Sequence, residues 1–197
     1  MPFKHGFKAR ANRIAVTIRT SLQLAPTDPL DPWQVCRHFD IGVLPLSEIL
    51  ADDGSLAGHY FLHKQPEAFS AFVVPVAMGR VIVHNDSHKP VRQRSNLTHE
   101  LAHCFLGHPL VPPINADGQR NRDSGIEEEA AFLGGALLIP NEAAHHLIKA
   151  GMMPSATIVY GVSREMLEYR LSVSGAKIAA FRRAGRTSTQ STAPRAP

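Results

Sequence analysis

The chain has 197 residues, of which 44% are apolar and 19% charged, enough for one domain or one domain with a small appendage folding without staples. Its two cysteines, Cys36 and Cys104, are too few for a secreted disulfide framework, and no apolar run of signal-peptide or membrane-spanning length follows Met1-Pro2-Phe3-Lys4 or occurs later. The expectation is a cytoplasmic protein without a membrane partner, with a net charge of +4 carried by basic residues at both ends, among them Arg10, Arg13, Arg19, Arg164, Arg170 and Arg183. These read as a solvated basic surface; few aromatics lie among them, so base stacking is poorly supported.

Taken in order, Ile14, Ile18 and Leu22 recur at helical spacing and predict a first helix over Ala9–Leu24. Asp28-Pro29 and Asp31-Pro32 break it. A short helix over Trp33–Phe39 follows, with Asp31 as its cap before Pro32. Ile41–Leu46 reads as extended, and Gly54 and Gly58 mark a loop. Phe69–Val76 and Arg80–His84 are rich in Val, Ile and Phe and predict a hairpin around Met78-Gly79, with Pro75 arguing that its strand is an edge or ends there. Pro90 opens a helix that runs to about Leu106, where Gly107 and Pro109 stop it. Pro109–Asp123 has loop composition. A second strong helix covers Ser124–Ile139 and is ended by Pro140; Asn141 is expected to cap a further helix, Glu142–Lys149. Ser155–Arg183 reads as two or three short helices, and the Ser/Thr/Pro-rich stretch after Gly185 as a disordered tail.

The chemistry concentrates in His99-Glu100-Leu101-Ala102-His103. On a helix, positions four apart share a face one turn apart, so both imidazoles can reach one zinc ion. Glu100 projects about 100° away, where it can act on a water as general base instead of binding the ion. Zinc brings the pKa of such a water towards neutrality. Cys104 follows His103 and is expected to be a small buried residue, not a ligand. A catalytic zinc needs a third protein ligand. His108 is misplaced for the HExxHxxGxxH pattern; near the helix end it is open to being a polar group close to the site, but it reads first as a helix-terminal cation or cap. Glu127, Glu128 and Glu129 open the next apolar helix and point about 100° apart. Two of them are expected only to complement the helix dipole, and periodicity leaves open which is the ligand.

The pair RQRSNLTHELAHCFLGHP and EEEAAFLGGALLIP resembles the ImmA/IrrE family of metallo-endopeptidases. The hairpin before the motif and YGVSREMLEYRL resemble it too, so the likeness covers residues 9–175. The resemblance implies an α+β, zincin-like fold, mainly helical with a small antiparallel β-sheet and short C-terminal helices. Residues 1–150 would form the peptidase domain, 151–184 a helical segment packed on it, and 185–197 the tail. It also implies that Glu127 is the third ligand beside His99 and His103, that Glu100 is the catalytic base, and that the metal is zinc, with manganese as an alternative. The family often has Asn or Asp four residues after the ligand Glu; here that position is Ala131, so the supporting partner of a ligand histidine is either missing or supplied elsewhere. The expected substrate is a helix-turn-helix repressor whose cleavage turns on mobile-element or stress-response genes. His59, Tyr60, His84 and His145 are candidate oxyanion donors. A competing class is a DNA- or protein-binding module with a structural or vestigial zinc site. Its support is Tyr160-Gly161-Val162-Ser163, which resembles the turn of a helix-turn-helix, with Arg164 and Arg170 on the second helix.

Overall fold

In the computed structural model, which describes residues 3–53, 59–109 and 123–190, the stripe Phe7, Ala11, Ala15 and Ile18 is buried along α1 (Phe7–Ser21). Helix α2 (Pro32–His38) starts as expected: the Asp31 carboxylate accepts from the Trp33 N–H, and Pro32 occupies a first-turn position that needs no donor. Strand β1 (Ile41–Pro45) leads into α3 (Leu46–Asp53), a helix that the sequence pattern did not reveal. Strands β2 (Ala71–Val76) and β3 (Gly79–His84) form the antiparallel hairpin. The sheet as a whole is mixed: β1 joins parallel to β3, giving the order β1-β3-β2. A parallel neighbour requires a long crossover, here the chain between Pro45 and Gly79. Pro75 lies in β2, an edge strand.

The site is built on α4 (Pro90–Leu106) and α5 (Ser124–Leu138). Pro90 opens α4, and Gly107, left-handed at φ 71°, closes it. The loop before α4 is tied down by polar side chains. The Asn85 amide donates to the carbonyls of Phe61, Pro66 and Phe69, and Gln93 donates to those of Asp86 and His88. Asp123 caps α5, accepting from Gly125 and Ile126. Most of the loop expected at Pro109–Asp123, and the glycines at 54 and 58, lie outside the described residues. Helix α4 packs against β2, β3 and α5, and α1 packs against α5. Leu97, Leu101, Leu133 and Leu137 are fully buried between these elements, each contributing about 1.5–3 kcal/mol.

Where α4 and α5 cross there is no room for a side chain. A Cβ on Gly134 would lie 3.1 Å from the Thr98 carbonyl oxygen and 3.2 Å from the backbone N and Cα of His99. Backbone cannot swing aside as a flexible side chain can. Gly134→Ala is therefore expected to destabilise the fold by about 1–3 kcal/mol through overpacking and to displace His99 relative to α5. Chemical denaturation measures the first effect; an undiminished midpoint would show that the crossing is looser than this.

The remaining helices are α6 (Asn141–Lys149), α7 (Ala156–Tyr160), α8 (Arg164–Val173) and α9 (Ala176–Gln190). They bury Ala143, Ala144, Leu147, Tyr160, Leu167 and Leu171 around Leu138 and Ile139 at the end of α5. Three expectations are corrected here. Asn141 is the first residue of α6 and makes no cap bond with its side chain. Its N–H instead donates to the Asn12 carboxamide oxygen on α1. Helix α9 continues past Gly185 to Gln190, because a nucleated helix gains a hydrogen bond for each residue added; residues 191–197 lie outside the description. Arg19 and Arg170 are not surface charges. Both are fully buried. Arg19 donates to the carbonyls of Ala15, Asp28, Leu137 and Leu138, and Arg170 to the carbonyl of Ile139 and the side chain of Asn141. They satisfy carbonyls left without partners where α5 ends. Burial lowers each guanidinium to about 10, so both stay charged at neutral pH.

Candidate metal centre

His99 and His103 lie on one face of α4, and their Nε2 atoms are 3.1 Å apart. Antiparallel to them, α5 delivers Glu127: one carboxylate oxygen is 3.4 Å from His99 Nε2, the other 3.7 Å from His103 Nε2. The three donors form a cluster able to hold a metal ion. Their spacing fits: bonds of about 2.0–2.1 Å at tetrahedral angles put neighbouring ligand atoms about 3.3 Å apart. The protonation states fit as well. Burial, with His99 and His108 adding to it and Glu127 opposing, pushes the His103 imidazole down to about 4. It is therefore neutral at physiological pH, as a ligand must be.

The three glutamates separate by face. Glu127 meets the histidine pair, Glu128 is exposed, and Glu129 reaches His108, 3.4 Å from its Nε2. Glu129 thus does more than complement the helix dipole. His108 is likewise not a free helix-terminal cation, since its Nδ1 lies 3.1 Å from His103 Nδ1. Sequence reading left open a polar His108 near the site but did not reveal its partners, His103 and Glu129. The available signal was Gly107: a left-handed residue after a helix turns the next side chain back over the last turn.

Glu100 is partly buried near His99 and Glu127. Burial raises its carboxyl to about 7, with nearby His99 opposing the shift and Glu127 adding to it. Cys104 is buried and carries a free thiol, which burial raises above its ordinary value. Of the candidate oxyanion donors, His84 is buried with its ring against Trp33. His145 lines a depression between α6 and α9. His59 and Tyr60 are exposed on the turn before β2. No described contact brings any of the four to the histidine pair.

A groove of about 450 Å³ opens between the start of α4 and α8, lined by Val91, Ser95, Leu138, Val162, Met166 and Tyr169, among others. Ser95 stands one turn before His99, so the groove and the face carrying His99 and His103 lie on the same side of α4.

The sequence profile of the peptidase M78 family, described as the IrrE N-terminal-like domain, matches residues 48–172. The chain belongs to this family. The match includes α4, α5 and all of α8 except its last residue, and leaves α1, α2 and β1 outside. Membership makes the chain a peptidase-family protein of the metallopeptidase type, and a peptidase acts on protein substrates. No curated protein matches the chain. Among the described residues no helix is long and apolar enough to cross a membrane.

Proposed function

We propose that this chain is a cytoplasmic zinc-dependent endopeptidase that cleaves a helix-turn-helix transcriptional repressor, releasing mobile-element or stress-response genes. The observation that carries the reading is the convergence of His99, His103 and Glu127 near the partly buried Glu100, in a chain of a peptidase family. The repressor as substrate rests on the resemblance to ImmA/IrrE proteins. Zinc, or manganese in its place, would be held by His99, His103 and Glu127. An ion held there would supply an acidified water and polarise the scissile carbonyl. A Glu100 carboxylate oxygen takes a proton from the water and returns it to the leaving amine nitrogen. The site desolvates Glu100 and so raises its basicity, which suits both halves of that transfer near neutral pH. The groove along α4 is suited to an apolar side chain of an extended peptide.

The DNA-binding reading keeps its turn between α7 and α8 but loses one of its two arginines. Arg170 is buried in the body, and Glu165 and Glu168 share α8 with Arg164, an unfavourable charge pattern for phosphate.

The test is to incubate the purified chain and zinc with the repressor encoded beside its gene. Expected is one defined cut, mapped by mass spectrometry, abolished by a chelator and restored by zinc. An intact repressor alongside cleavage of unrelated unfolded proteins would keep the peptidase and remove the repressor.

A further inference from the structure

Helix α4 ends in a turn that folds its last histidine back on the site. The His108 N–H donates to the His103 carbonyl at 3.1 Å, and the Gly107 N–H to that of Cys104 at 3.3 Å. These are the two bonds of a Schellman closure, which needs the left-handed Gly107. The closure fixes the His108 backbone directly over His103. Its ring then meets the His103 ring edge to face, with centroids 5.0 Å apart and Nδ1 atoms 3.1 Å apart. The other nitrogen, Nε2, lies 3.4 Å from a Glu129 carboxylate oxygen. The His108 side chain is only 8% exposed, so water competes little for either contact.

We propose that His108 and Glu129 are positioning residues for His103, a role that rests on the metal reading above. The direction of the chain is set at its far end. A carboxylate only accepts, so His108 donates from Nε2 to Glu129. A neutral His108 then has a bare Nδ1, which accepts from His103 Nδ1–H. His103 in turn presents the lone pair of Nε2, the atom that faces His99 Nε2 and Glu127. The relay therefore selects the tautomer a metal ligand needs and orients the ring. The relay spans both helices: His108 follows α4 and Glu129 is two residues beyond Glu127 on α5.

The test compares zinc affinity, by competition with a chromophoric chelator, with the melting temperature of the metal-free proteins. Changing a group that supports a ligand commonly weakens metal affinity about 10–100-fold. His108→Leu is expected to lose affinity in that range with little change in melting. His108→Asn should recover part of it, because its side-chain oxygen can take the place of Nδ1 as acceptor. Glu129→Ala reaches the same chain from α5 and should weaken binding in the same direction, while Glu128→Ala should not. Nitrogen-15 spectra should place the His103 proton on Nδ1 in the wild type and show mixed tautomers in His108→Leu. Equal losses in His108→Leu and His108→Asn, or wild-type affinity in His108→Leu and Glu129→Ala, would overturn the relay while the metal site stands. A wild-type chain that takes up no zinc would overturn the metal reading itself.

Discussion

Glu100→Gln is expected to keep its metal and lose about 10²–10⁴-fold in turnover, the usual cost of removing a general base. Glutamine preserves the shape and the hydrogen-bonding reach of the side chain, but its amide oxygen cannot hold the proton taken from water. The proposed ligand atoms of His99, His103 and Glu127 are untouched, so zinc content should match the wild type. A second consequence separates this variant from simple damage. In the metal-free protein Glu100 holds its proton up to about 7, whereas in the unfolded chain it gives it up near the ordinary glutamate value. Between those values the folded state binds more protons, so the wild type loses stability as pH rises and levels off above about 7. The glutamine variant carries no such charge. Its melting temperature should match the wild type in mild acid and exceed it at pH 8. Turnover unchanged by the substitution would remove Glu100 from the mechanism.

That carboxyl illustrates what a sequence can and cannot disclose. The spacing of His99, Glu100 and His103 is local, and a helix turns it directly into geometry. The punctuation around it is local too: Pro90 and Gly107 bound α4, Asp31 caps α2, and Pro75 keeps β2 at an edge. What stayed hidden depends on partners distant in sequence. Nothing in Ile41–Pro45 announces a parallel pairing with Gly79–His84, because a period of two fixes the faces of a strand and not its neighbour. Arg19 and Arg170 carry charge, and charge alone reads as surface. Their burial becomes intelligible only once the carbonyls at the end of α5 are seen to need donors. The three glutamates at 127–129 are indistinguishable by composition. The separation of roles follows from the 100° step between them, with α4 lying along one side of α5.

Replacing His99 or His103 with alanine is expected to abolish stable zinc binding, and Glu127→Ala to do nearly the same. Each substitution removes one of the three proposed protein donors, so the loss should exceed the 10–100-fold that follows from altering a supporting group. Thermal melts read this without any substrate. An ion that binds only the folded state stabilises it by about 4 kcal/mol at a free concentration 1,000 times its Kd. For a chain of this size that corresponds to a rise of about 8–16 °C in Tm. The wild type should show this rise with zinc, and the three ligand variants should show little of it. Glu128→Ala, whose side chain lies on the exposed face of α5, should respond like the wild type. Elemental analysis of the same samples then distinguishes site loss from weak nonspecific uptake. A full zinc-induced rise in both histidine variants would place the ion elsewhere. If Glu127→Ala alone kept the rise, the third donor would be another group, and the convergence of that carboxylate on the two imidazoles would have to be explained by their mutual hydrogen bonding.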